Sequence, residues 1–208
     1  VFVAVISIVY YSAKGQTGVV AQSVAEGARS VDGVSAVHLL NSDEAIHHWD
    51  TLNASDAIIF GSPTYMGSVA APFKAFMDAS FDIYLHQRWK DKIAGGFTQS
   101  AALCGGKLNT LMDLFVFAER HSMIWIGLGM LPGQPWLEDP TLGGTEPLNR
   151  MGSMSGLMTQ SDRGLCCPPE EDLLTAQLFG KRIAEMTRIF LTGREQLGPF
   201  SEALATAV

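Results

Sequence analysis

Short apolar runs alternate with segments of helical period along this chain, and that alternation constrains the fold more than any other feature. Val1–Tyr10 is built of small and β-branched apolar residues, and "ASDAIIFGS" (54–62) is apolar at consecutive positions, so both faces of each must be covered. "VSAVHLL" (34–40), "KIAGGFT" (92–98) and "SMIWIGL" (122–128) read as three further strands. Between the strands, Thr17–Arg29 sets Val20, Val24 and Ala28 on one helical face. Residues 69–79 form a second helix, with Pro72 tolerated in its first turn, and 106–121 form a third. A long helix over 169–190 closes the order, with Pro169, Glu170 and Glu171 suited to its start. Strands separated by crossover helices require a parallel sheet covered on both faces. The expected fold is one three-layer α/β/α domain over residues 1–208.

Composition narrows the function. The 208 residues are 47% apolar and 17% charged, a globular balance. The net charge of −7, without any Lys/Arg cluster, argues against nucleic acid or an anionic membrane as partner. Cys104 is isolated and Cys166-Cys167 are adjacent, which gives neither a disulfide ladder nor a metal-spaced pair; a reducing cytoplasm is expected. The apolar start lacks the basic region of a signal peptide, and no run reaches membrane-spanning length. His47, His48 and His86 have no metal-ligand spacing, and none is expected to bind metal. His121 falls at a helix end, where a cation is favoured. Trp125 belongs to a strand. The stretch from Gly129 to Pro168 is rich in Gly, Pro and Met without a clear period, as functional loops are, and Trp136 within it is a candidate lid.

In open parallel sheets ligands bind beyond the carboxyl ends of the strands. That rule selects "YSAKGQTG" (11–18), "GSPTYMGS" (61–68) and "FTQSAALCGG" (97–106). The first offers Ser12, Gln16 and Thr17 as polar groups, Lys14 and Gly15 between them, and a helix N-terminus behind, a natural cradle for a phosphate. The bland reading of Ser12 and Thr17 is helix capping alone. The loop has neither Walker A nor GxGxxG spacing. In the second loop Pro63 fixes a turn, Thr64 is a donor, Tyr65 and Met66 are flat or polarizable surfaces, and Gly67 leaves room for a ring. The third supplies Thr98, Gln99, Ser100 and backbone N–H groups at Gly105-Gly106. Cys104 beside them reads more readily as a small buried or half-buried filler than as a nucleophile, because no basic neighbour is visible.

Together these motifs resemble the flavodoxin-like family, and most closely its tryptophan-repressor-binding-protein-like NAD(P)H:quinone oxidoreductase branch. "YYSAKGQTG" is similar to the family's S-x-x-G-x-T phosphate loop, and "GSPTYMGSVAAPFKAFMD" to its GSPTRFG-type ring loop. "FTQSAALCGG" lies where the family has FTSTGTQHGG, and "LGGTEPLNRMGS" (142–153) is similar to its RGGTPYGA loop. The resemblance implies a five-stranded sheet in the order 2-1-3-4-5, FMN as cofactor and NAD(P)H as co-substrate. It also implies a quinone or similar acceptor and a homo-oligomer, dimer or tetramer. Ser12, Lys14, Gly15, Gln16 and Thr17 would surround the phosphate; Pro63 to Gly67, Thr98 to Ser100, Gly105 and Gly106 would surround the ring. The implied reaction passes hydride from nicotinamide to the flavin and then two electrons to the quinone, with the 98–106 amides near the ring's N1/O2 edge.

Three departures stand out. Tyr65-Met66 replaces the family's Arg-Phe. Cys104, on the substrate face by resemblance, replaces a His and offers no ready acid to a quinone oxygen. Tyr84 occupies the register of a Trp that reaches a neighbouring subunit's flavin. A flavodoxin-type electron carrier, or a flavin-binding regulatory module without turnover, is the alternative reading.

Overall fold

In the computed structural model, residues 3–133, 148–161 and 168–197 are described. The first strand, β1 (Ala4–Tyr10), leads into α1 (Gln16–Arg29), and β2 (Val34–Asn41) into the short α2 (Ser42–Ala45) and α3 (Trp49–Ala54). Strand β3 (Ala57–Tyr65) turns back as β4 (Ser68–Val69) before α4 (Ala71–Ala79) and α5 (Phe81–Leu85). Then follow β5 (Ile93–Ser100), α6 (Lys107–Arg120), β6 (Ile124–Trp125), β7 (Leu157–Gln160) and α7 (Glu170–Leu197). The sheet order is β2-β1-β3-β5-β6, parallel throughout this path, so the expected flavodoxin-like topology holds once β4 is set aside as a hairpin strand.

Alternation along the central strand explains the two cores. Ala57 and Ile59 face α1 and α7 and join Ile6, Ile8, Phe97, Phe179 and Ile183 in one cluster. Ile58 and Phe60 face the other way, with Phe73, Phe76, Trp89, Leu114 and Phe117. On the first side α1 and α7 pack backbone to backbone. A Cβ at Gly27 would lie 1.8 Å from the Gln177 carbonyl, and one at Gly180 would lie 1.9 Å from that of Val24. Any side chain at either position would force the two helices apart.

Two sequence expectations need correction. The run 122–128 is strand only at Ile124–Trp125, which pairs with Ile93 and Ala94 at the lower half of β5. The chain then leaves the sheet, and β7 returns to pair with Phe97–Ser100, the upper half of the same strand. One edge is thus shared by two strands, and the stretch from Gly129 to Pro168 is not all loop, because it contains β7. Four residues are too short a run for a period of two to declare itself. Trp136, Cys166, Cys167 and residues 142–147 lie outside the described residues.

The second correction concerns His121. It is buried, its Nε2 lies 2.9 Å from the Ser80 hydroxyl, and its Nδ1 has no hydrogen-bond partner among the described residues. Burial, with Arg120 beside it, lowers its pKa to about 4, so it is neutral rather than a helix-end cation. The aromatic rings of Trp89, Phe117 and Tyr84 surround it.

Candidate cofactor and active site

The three selected segments meet at the carboxyl edge of the sheet, because β1, β3 and β5 are adjacent and parallel. Beyond β1 the chain reaches α1 through Gly15, whose φ of 85° lies in the left-handed region that glycine enters without strain. Nothing lies within 4 Å of where a Cβ on Gly15 would sit, so the turn is open on that side. Helix geometry leaves first-turn amides without intrahelical carbonyls, and α1 has no acidic residue in that turn to offset its dipole. Ser12 Oγ accepts from the Gly18 amide at 3.0 Å, which satisfies one of the first-turn donors, although the N-cap position itself is Gly15. Thr17 is buried in the turn and Lys14 is exposed at its rim.

The second segment is more regular than its sequence implied. Strand β3 runs through Pro63 to Tyr65, and the turn is Met66-Gly67, with φ values of 51° and 83°. Positive φ at both central residues is the signature of a type I′ hairpin, so Gly67 makes the turn and Pro63 does not. Pro63 sits in register with Gln99 at a level where β1 has already ended at Tyr10, and its missing N–H breaks no ladder bond there. The hairpin presents Tyr65 at 43% exposure and Met66 fully exposed. Burial, and Tyr11 nearby, raise the Tyr65 phenol above its ordinary pKa.

In the third segment Thr98, Gln99 and Ser100 still belong to β5. Gln99 is buried and donates to Ser161 Oγ at 2.9 Å, and Ser100 Oγ donates to the Ala102 carbonyl at 3.1 Å. Gly105 and Gly106, at φ 56° and 82°, open α6, and Cys104 just before them is an exposed free thiol, not the buried or half-buried filler expected, because it sits in the turn that precedes the helix. Among the described residues no group of His, Cys, Asp or Glu could hold a metal ion.

Helix α6 joins the second segment to the third. Asn109 Nδ2 donates to the Gly67 carbonyl at 2.8 Å, and Asp113 Oδ2 accepts from Ser68 Oγ at 2.6 Å and from the Val69 amide at 3.3 Å. Thr64 Oγ1 lies 2.8 Å from both Thr98 Oγ1 and Thr110 Oγ1. Asn109 and Asp113 are four residues apart and Thr110 and Asp113 three, so the three fall on neighbouring positions of the side of α6 that meets the hairpin. Sequence reading passed over them because that spacing is also what a solvated helical face shows.

Residues 12–131 match the NADPH-dependent FMN reductase family. The chain belongs to that family. Among curated relatives of this FMN reductase-family protein, "Flavodoxin FldP" of Pseudomonas aeruginosa is 36% identical over 86% of this chain and 94% of its own length. An "NAD(P)H dehydrogenase (quinone)" of Solidesulfovibrio magneticus is 30% identical over 87% of this chain and 96% of its own. A WrbA-like flavodoxin from Agrobacterium tumefaciens has a crystal structure that matches with a TM-score of 0.68 at 34% identity, covering 90% of this chain and 99% of that one.

Two further features of the FMN reductase-family protein escaped the sequence. Lys107 is buried at the start of α6, and burial lowers its amine to about 8, with Asp172 pulling it partly back. Arg150 meets Asp172 through Nε at 2.6 Å and Nη2 at 3.0 Å, and Gln160 N donates to the same carboxylate at 2.7 Å. Asp172, held by Arg150 in a bidentate pair, thus ties the start of α7 to the end of β7 through the Gln160 amide, beside the third segment. Tyr84, with Arg120 4.5 Å above its ring, lines an 870 Å³ groove with Tyr65 and Met66 of its own chain.

Proposed function

We propose that this protein binds FMN and works as an NAD(P)H-dependent oxidoreductase, passing hydride through the flavin to a quinone or similar acceptor. The carrying observation is the convergence of an unneutralised helix N-terminus behind Gly15 with a hairpin that leaves Tyr65 and Met66 bare. A phosphate suits the first and a flat apolar ring suits the second. The residues fit the cofactor by donor chemistry as well, because hydroxyls and amides dominate the edge. FMN when bound would supply the hydride and electron-transfer chemistry. The protein's part is to hold and orient it. Ser12, Gln16, Thr17 and the α1 amides take the phosphate, with Lys14 and Gly15 at the turn. Pro63, Thr64, Tyr65, Met66 and Gly67 border the ring, Gln99, Ser100, Gly105 and Gly106 shape its far edge, and Thr98 stands behind Thr64. Cys104 lies on the substrate face.

Purified protein titrated with FMN and with riboflavin tests this reading. Saturable FMN binding, with riboflavin much weaker, supports it; no binding of either overturns it. An electron-carrier role is the second reading, favoured by the identity to a relative named as a flavodoxin.

The assembly is a homo-oligomer, dimer or tetramer, in which Tyr84 reaches a neighbouring flavin. Support comes from Phe81, Leu85, Leu108, Met112 and Val116, large apolar side chains left exposed on α5 and α6. Light scattering that finds only a monomer, still holding FMN, would refute it. No helix among the described residues is long and apolar enough to cross a membrane. A cytoplasmic setting, and one domain over 1–208, complete the proposal.

A further inference from the structure

The three hydroxyls of Thr64, Thr98 and Thr110 carry three protons, and the triad has two hydrogen bonds to use them. Thr98 and Thr110 are fully buried, and among the described residues Thr64 is the only side-chain hydrogen-bond partner of either. Thr110 does not turn its hydroxyl to the carbonyl four residues back, as Thr175 and Thr187 do in α7. A buried hydroxyl proton without an acceptor is costly, so both buried threonines donate to Thr64. Their two protons fill the two acceptor sites of Thr64 Oγ1. The proton of Thr64 must then leave the triad. Thr64, at 8% exposure, is the only member with any open surface.

Resting on the FMN reading, we infer that Thr98 and Thr110 are positioning residues that commit the Thr64 hydroxyl to donate to the flavin ring. The atom it meets is therefore an acceptor, a ring carbonyl oxygen or an unprotonated ring nitrogen, and not a ring N–H. Thr98 acts through Thr64 and does not itself touch the ring. Thr110, outside all three segments chosen from sequence, becomes part of the site's frame. Water could satisfy the Thr64 proton in the absence of ligand, so the donor is already oriented when the ring arrives, and binding needs no reorganisation of it.

The test compares Thr64→Val, Thr64→Ser and the triple Thr64→Val/Thr98→Val/Thr110→Val, each against wild type. FMN and riboflavin dissociation constants are read by flavin fluorescence, and thermal midpoints are taken without flavin. Thr64→Val should weaken FMN and riboflavin by the same factor, roughly tenfold, because the lost contact is to the ring and not to the phosphate. It should also lower the flavin-free midpoint, since two buried donors lose their acceptor. The triple variant should regain the midpoint but not the affinity, and it keeps the test alive should Thr64→Val not fold. Thr64→Ser should behave as wild type in both. Unchanged flavin affinities in Thr64→Val, or a triple variant no more stable than Thr64→Val, would overturn the inference. If wild type binds neither flavin, the FMN reading and the ring contact both fall, while the midpoints still decide the direction of the triad.

Discussion

Asn109 donates its side-chain amide to the carbonyl of Gly67 at 2.8 Å, so helix α6 holds the tip of the hairpin that presents Tyr65 and Met66. Four residues on, Asp113 accepts from Ser68 and Val69 on the returning strand. The surface proposed to meet the ring is therefore braced from below. Replacing Asn109 and Asp113 together by Ala should lower unfolding stability by about 2 kcal/mol and weaken FMN several-fold, since each lost hydrogen bond is worth about 1 kcal/mol and charged ones more. Urea denaturation and flavin titration measure the two effects. Loss of stability with full FMN affinity would show that the brace serves the fold alone.

The phosphate end is predicted to be separable from the ring end. Ser12→Ala with Thr17→Ala removes two hydroxyls at the turn before and within the first turn of α1. Charge-assisted hydrogen bonds of roughly 1.5–3 kcal/mol each place the loss of FMN affinity at about a hundredfold or more. Riboflavin, which has no phosphate, should lose little. Equal losses for both ligands would remove the phosphate from this turn.

His121 should make the fold acid-sensitive. Its pKa is about 4 in the fold against 6.5 for the free side chain, so the unfolded chain takes up a proton first as pH falls. Its contribution is thus fully present above pH 6.5 and lost progressively as pH falls from 6.5 to 4. About 2 kcal/mol should disappear between pH 7.5 and pH 5. His121→Gln, which cannot titrate, should flatten that part of the stability profile in urea denaturation at the two pH values. A profile identical to wild type would assign the acid sensitivity elsewhere.

Cys104 tests the acceptor half of the reaction. Its exposed thiol stands where the resembling family has a His, so quinone reduction should be slow and flavin reduction by NAD(P)H unaffected. Cys104→His should raise the quinone half-reaction, because an imidazole can donate a hydrogen bond to the charge that develops on the quinone oxygen. Stopped-flow measurement of each half-reaction separates the two. A wild type already as fast with quinone as with NAD(P)H, and no gain in the variant, would show that Cys104 does not limit that step.

The layers were legible because buried strands such as 54–62 are apolar on both faces, a pattern few other elements share, whereas the strand order came from the resemblance of the loop motifs alone. The glycine-and-hydroxyl turn before α1 was legible for a similar reason, since Gly15 and Ser12 each have a local geometric role. The Met66-Gly67 hairpin was not, because Pro63 is the stronger turn signal in sequence and only the end of β1 makes it harmless within a strand. Strand β7 is too short to show a period, and the role of α6 depends on long-range bonds such as Thr64 to Thr110. His121 misled for the opposite reason. A helix end favours a cation only where water reaches it, and three aromatic rings exclude water here.

The central claim is that nicotinamide-derived hydride passes through FMN held at this edge. The most direct measurement mixes FMN-loaded protein anaerobically with NADH or NADPH, follows the visible flavin absorbance, and then adds benzoquinone. The account predicts bleaching at a rate that saturates with nicotinamide, followed by recovery of the absorbance on adding quinone. Stable yellow protein in the presence of either nicotinamide, reducible only by a separate electron donor, would contradict it and leave the electron-carrier reading in its place.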